Sequence, residues 1–305
     1  MKRIIPIITG IIIVILIAIF AIPASRIKIL GTQLSYEYFP EQERIYKITT
    51  HMNMETKIEN PSEELTQAFS DKKIELEMNQ DSIRQVKGVN GGIANLLVTN
   101  QVKDTRVVVN GQEIPDPAQL DNKTTLSLSL TPSGNIQNLV AISPEKLKGQ
   151  EEDLKETLLF THQFVSFPNK ILRPGQKWNR EISAPLQIGF LNVVLEGNME
   201  YTFTGLVKNN GSLCARIDFI GNFNSDTTEE NTTKMNGKGE TRGSILFDFY
   251  NGELISVENH AKLQTEVPLK RAEEGSAELA DFKITGNTEI DIKMEKKNNQ
   301  AEDKG

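Results

Sequence analysis

YTFTGLVKNNGSLCARIDF, residues 201–219, decides how the chain reads as a fold. Apolar side chains alternate with polar ones on both sides of Asn209-Asn210-Gly211. Period-two alternation places one parity on one face of a sheet. A three-residue loop over 209–211, a type I turn followed by a left-handed glycine and a bulge, sets Val207 against Leu213. It also sets Phe203 against Ile217 and Tyr201 against Phe219. A slip by one residue would set these side chains against polar ones. The same loop geometry at 250–252 sets Phe247 against Ile255 and Ile245 against Val257. At 132–134 it sets Leu130 against Ile136 and Leu126 against Val140. The apolar face so assembled holds Tyr201, Phe203, Ile217, Phe219, Ile245 and Phe247, and it is the candidate ligand-binding face.

Working outward, turn signals recur at Asn90-Gly91-Gly92, Asn110-Gly111, Asn236-Gly237 and Asn251-Gly252. Short alternating runs punctuated this way imply antiparallel hairpins rather than a βαβ fold. The fold class is mainly β: a curved antiparallel sheet, or two packed sheets, with few helices. One helix is expected over Pro144–Val165, capped by Ser143, with Leu147, Leu154, Leu158, His162 and Val165 on its packing face. A shorter one is expected over 61–70 behind Asn60-Pro61. The long helix separates a first β-rich half, 36–142, from a second, 167–295, and the polar tail 296–305 carries no periodicity. An amphipathic helix covers a stripe about 10 Å wide, while strands add about 4.8 Å each. A sheet of six or more strands overruns one helix, so the remaining apolar area needs sheet closure, a second sheet or a ligand.

Met1-Lys2-Arg3 precedes an uncharged apolar run from Ile4 to Ile22, close to the ~20 residues that span a bilayer as a helix. Lys2 and Arg3 hold the N-terminus inside. Residues 4–22 are therefore expected to be a transmembrane anchor, and 23–35 a linker to a domain outside the cytoplasm. The rival is a signal peptide cleaved after Ala24, which would release the domain. Pro23 and a core longer than the usual ~7–15 residues argue against cleavage.

With 305 residues and a net charge of -7, Lys and Glu are interleaved and no basic stripe occurs, which argues against nucleic acid. The single cysteine, Cys214, falls in a strand with no histidine beside it. His51, His162 and His260 are far apart and form no metal-ligand pair. Ser143-Pro144-Glu145-Lys146 matches the S-x-x-K pattern of penicillin-interacting enzymes, but its companion motifs are absent and a helix cap explains it. Gly237–Gly243 is glycine-rich without phosphate-loop spacing and is expected between strands. Asn122, Asn210 and Asn231 begin glycosylation acceptors by pattern and read as loop asparagines. No catalytic residue, metal ligand or cofactor site is assigned.

Phe167-Pro168-Asn169-Lys170-Ile171-Leu172-Arg173-Pro174-Gly175-Gln176-Lys177-Trp178 carries a Pro-Gly turn that feeds the single tryptophan into a strand. From here to Val267 the chain resembles a loose group of bacterial envelope-directed β-rich proteins with a Pro-Gly-x-x-Trp entry before a β meander. That resemblance implies fold type and location and no activity. A curved sheet with a helix on its concave face also resembles envelope carriers of lipids and lipoproteins. The expected function is a membrane-tethered, non-catalytic binding or scaffolding domain of the cell envelope. Its expected partners are the membrane, through the N-terminal helix, and a lipid or an envelope protein. The alternative is an envelope hydrolase with a site assembled from distant residues.

Overall fold

The computed structural model describes residues 31–59, 71–114, 123–188, 191–226, 236–272 and 279–297. The expected anchor 4–22, the expected helix 61–70 and most of the tail lie outside them. Among the described residues no helix is long and apolar enough to cross a membrane.

The first run of strands is β1 (Glu43–Glu59), β2 (Lys72–Asn90), β3 (Ile93–Val109), β4 (Gln112–Glu113), β5 (Lys123–Leu130) and β6 (Ile136–Ser143). A 3-10 turn, Glu145–Leu147, and helix α1, Glu151–Phe160, follow. The second run is β7 (Lys177–Ile188), β8 (Leu191–Asn209), β9 (Ser212–Asp226), β10 (Asn236–Asp248), β11 (Glu253–Ala272) and β12 (Leu279–Lys296). All belong to one antiparallel sheet, ordered β6-β5-β3-β2-β1-β12-β11-β10-β9-β8-β7, with β4 beside β3. Each half is a meander, and β1 pairs with β12 from Tyr46↔Lys296 to Glu59↔Lys283 to make the two halves one sheet.

Helix α1 packs on both terminal strands of that path, β6 and β7. Ten steps of about 4.8 Å would spread a flat sheet roughly 50 Å, so two ends that meet one helix require the sheet to curl. The result is an incomplete barrel with α1 in its gap. Leu158, Leu159 and Phe160 enter the core there. Residues 31–42 and 161–176 cross the hairpin tips at the same end: Thr32 N–H bonds the Leu172 carbonyl, Tyr36 N–H the Pro132 carbonyl and Glu37 N–H the Gly252 carbonyl. Leu34 and Tyr36 are buried by this crossing, so the chain already packs within the stretch read as linker.

The expected helix over 144–165 is corrected. Pro144 is extended, Ser143 ends β6, and no side chain caps either helical piece. Gly149 takes a left-handed φ of 86°, which stops the 3-10 turn before α1 begins, and His162, at φ 55°, ends the helical run past Phe160. Leu147 and Leu154 still pack on the core, and Leu158, His162 and Val165 are buried, but the last two arrive on irregular chain.

The hairpins keep much of the expected register through different loops. Asn210 and Gly211 form a two-residue turn with φ of 47° and 86°, as in a type I′ turn. Val207 therefore faces Cys214, not Leu213. The residue saved in the loop reappears as a bulge at Thr204, which restores Phe203↔Ile217 and Tyr201↔Phe219. Ile245 opposes Val257 as expected, but Phe247 opposes Leu254, because Asp248 Oδ1 accepts the Tyr250 and Asn251 N–H groups at 3.0 Å and builds a four-residue loop. Leu130 opposes Ile136, whereas bulges set Leu126 against Ala141 and leave Val140 exposed opposite Ser127.

Asn236-Gly237 is not a turn, and Gly237–Gly243 does not lie between strands; both belong to β10. The inner face of a curled sheet offers less room than the outer, so small residues there make space for rings. Gly243 lies opposite Phe219, and Phe223 lies between Gly197 and Gly239. A Cβ on Gly243 would sit 2.0 Å from the Glu258 carbonyl oxygen and 2.4 Å from the Phe219 ring. Gly243→Ala should therefore destabilise the fold by ~1–3 kcal/mol, measured by urea melts. A neutral result would show that both the β11 backbone at Glu258 and the Phe219 ring give way.

Candidate functional site

All six expected face residues, Tyr201, Phe203, Ile217, Phe219, Ile245 and Phe247, lie on the inner face and are at most 1% exposed. Chain from the α1–β7 connection and from 31–42 covers them. His162 stacks on Phe219 with centroids 4.0 Å apart, Trp178 stacks on Tyr201 at 5.3 Å, and Tyr36 meets Phe247 edge-on at 5.1 Å. Trp178 also donates its indole N–H to the Ser166 carbonyl at 3.3 Å, so it ties the β7 entry to the covering segment.

His162 is fully buried. Its Nε2 is 3.2 Å from the Tyr201 hydroxyl, and its Nδ1 makes no well-formed hydrogen bond. Burial first, and then the Arg180 guanidinium, push its pKa down to about 3. It is a neutral core side chain. Burial likewise pushes the Tyr201 hydroxyl up to about 12. The Cys214 thiol is raised by burial and then by the Asp248 and Glu253 carboxylates, which makes it a poor nucleophile.

The other two histidines sit on the outer face. His51 and His260 flank Asp291 on neighbouring strands, and His260 Nδ1 is 2.6 Å from Asp291 Oδ1. They border a groove of about 990 Å³ that crosses β1, β12, β11, β10 and β9. Within its charged rim Arg216 pairs with Asp218 and Lys293 with Glu295, both at 3.0 Å. Among the described residues no three His, Cys, Asp or Glu side chains are arranged to hold a metal ion.

The inner face does not end where the cover ends. Strands β1, β2, β3, β11 and β12 run far past α1, and their inner parity stays mostly apolar, interrupted by Thr50, Gln80 and Thr288. Met52, Met54, Leu76, Met78, Ile290 and Ile292 adjoin one another through Met52↔Leu76, Met52↔Ile290, Met54↔Ile74 and Thr50↔Ile292. Each is only half-buried. This trough was legible as alternation at Tyr46, Ile48, Met52 and Met54 and at Ile74, Leu76 and Met78, but not as one surface, because β1 meets β12 from the far end of the chain.

Two arginines mark the boundary between sealed core and trough. Arg44 and Arg84 are direct cross-strand partners, both buried. Arg44 is compensated: its Nε lies 3.3 Å from Glu253 Oε2, though not aligned as a hydrogen bond, and its Nη atoms donate to the Gly252 and Glu37 carbonyls. Arg84 is not. Its guanidinium lies between the Tyr46 ring, at 4.1 Å, and the Phe164 ring, at 4.4 Å, and Nη2 reaches the Met294 sulfur at 3.5 Å. Nε and Nη1 have no partner. Ser82, next along β2 on the same face, is 0% exposed with its hydroxyl unpartnered, and Oδ1 of Asn100 opposite it is also unpartnered.

No protein-family model matches the chain, and no curated protein does. The solved structures to which it is similar include three from Pseudomonas aeruginosa. OccK5 (OpdH) is 7% identical at a TM-score of 0.22, over 86% of this chain and 100% of that one. OpdQ is 7% identical at 0.21, over 84% and 99%, and OccK11 (OpdR) is 8% identical at 0.19, over 88% and 100%. TM-scores this low carry no argument about this chain.

The buried state of His162 has a pH signature. Its folded pKa lies below its unfolded value of 6.5. Between pH 6.5 and 3 the unfolded chain therefore takes up a proton that the native chain excludes, and stability falls as pH falls, by roughly 1 kcal/mol per pH unit. His162→Asn tolerates the left-handed backbone and removes the titration. Chemical melts from pH 7 to 4.5 should give a shallower stability slope for the variant; identical slopes would place a protonated His162 in the native state.

Proposed function

We propose that the chain is a non-catalytic binding module of the bacterial cell envelope, tethered by its N-terminal apolar segment, and that it holds an apolar ligand on the inner face of its sheet. The carrying observation is the trough of Met52, Met54, Leu76, Met78, Ile290 and Ile292. One curled sheet holds two regions of the same face. Around Tyr201, Phe203, Ile217, Phe219, Ile245 and Phe247 the chain's own rings fill the space. Along the outer reaches of β1, β2 and β12 the face is mostly apolar, with Thr50, Gln80 and Thr288 interspersed, and no described helix covers it.

An apolar face that meets water costs about 25 cal/mol per Å², and contiguous apolar patches of this kind mark binding sites. Methionines suit such a face, since their unbranched side chains repack around ligands of differing shape. The tether supports the reading because the Ile4–Ile22 run behind Lys2-Arg3 has the length and charge bias of a membrane anchor. A module held at the membrane surface stands where lipids enter and leave the bilayer.

Organic extraction of the purified protein, followed by mass spectrometry, tests this. A co-purifying lipid is expected, and Leu76→Glu should reduce its yield several-fold by placing a charge in the trough. Equal recovery from both proteins would remove the reading.

A further inference from the structure

Among the described residues, Arg84 is a buried cation without an anion. A guanidinium taken out of water needs a partner charge or a full set of hydrogen bonds. Contacts with two rings offset part of that need but leave Nε and Nη1 unbonded. The surroundings add positive charge: Arg44 stands directly opposite, and Glu253, the carboxylate beside Arg44, is shared with Lys296 at 2.6 Å. Next along β2 the unbonded Ser82 hydroxyl offers a donor, with Asn100 opposite it. Past Gln80, the inner face of β2 runs apolar through Met78, Leu76 and Ile74. Eight residues of strand from Ser82 to Ile74 span on the order of 25 Å, room for one extended hydrocarbon chain.

We infer that the ligand of the trough is a single-chain amphiphile with an oxyanion head, a carboxylate or a phosphate monoester, whose head pairs with Arg84 and Ser82 while its chain lies along Met78, Leu76 and Met52. This rests on the apolar-ligand reading above and adds the chemistry of the head. The guanidinium leaves Nε and Nη1 unused; each lies beside Nη2 on a different edge of the planar group, and an oxyanion oxygen can accept from either edge. Phe164 covers it, and the head enters by displacing that ring. Phe164 lies on the irregular chain past α1, where the next N–H, that of Val165, is held by the Tyr36 hydroxyl at 3.1 Å.

The test uses the full chain in phosphatidylcholine vesicles and three photoreactive probes of equal chain length: a fatty acid, a lysophosphatidate and a fatty alcohol. Labelling is mapped by peptide mass spectrometry. The expected result is labelling of residues 46–58 and 72–86 by at least one anionic probe. Arg84→Met should lower that labelling about tenfold and leave the alcohol unchanged. Phe164→Ala, which uncovers the guanidinium, should raise anionic labelling alone, and it keeps the test decisive if Arg84→Met fails to fold. Whichever anionic probe labels more strongly identifies the head. Equal labelling by anionic probes and alcohol, insensitive to both substitutions, would overturn the head-group inference and leave the apolar trough standing. Absence of labelling on these strands by all three probes would overturn the apolar-ligand reading itself.

Discussion

The pairing of β1 with β12 holds the molecule together. It joins Tyr46 to Lys296 and Glu59 to Lys283, positions whose closure in an unfolded chain is entropically costly. Each half by itself is a meander of neighbouring hairpins with one face apolar. Placed edge to edge they make a sheet wide enough to curl, and the curl brings β6 and β7 to the same helix. The sealed core, the glycine-lined ring pockets and the uncovered trough all follow from that join.

Helix α1, ten residues long, sets how far the closure extends. Helix α1 fills the gap between the terminal strands at one end, where residues 31–42 and 161–176 also cross the hairpin tips. The central strands are longer than β5 and β6 at one end of the sheet, eight residues each, so they continue past anything the helix covers. The aromatic half of the inner face becomes protein core, and the methionine-rich half does not. Arg84 sits where the two meet. Its neighbour Arg44 is fitted with a carboxylate and carbonyls, so an incomplete shell is not the rule for buried arginines in this fold.

The local patterns in the chain were legible because they rest on neighbours in sequence. Alternation around Asn210-Gly211 gave Phe203↔Ile217 and Tyr201↔Phe219, and the Pro174-Gly175 turn placed Trp178 at the entry of a strand, β7. His162 read as a core histidine from its position on an apolar stripe. The details that failed are those that spacing does not constrain. A bulge at Thr204 and a shorter loop cancel one another in register, and Asp248 lengthens another loop through its own backbone bonds. The apolar stripe from Leu147 to Val165 was real as a packing face, but Gly149 and the backbone at His162 limited the helix to its middle.

By itself the sequence determined the antiparallel β class, most of the hairpin tips and the apolar parity of the strands beside them, since each depends on period, turn chemistry or composition within a short window. The tertiary structure alone decided that the two halves are one sheet, that the six aromatic and aliphatic face residues are filled by the chain itself, and that Arg84 is left without a counter-charge. Those depend on which strands become neighbours, and the decisive neighbours, β1 with β12 and Arg84 with Phe164, come from distant parts of the chain, beyond the reach of any local pattern.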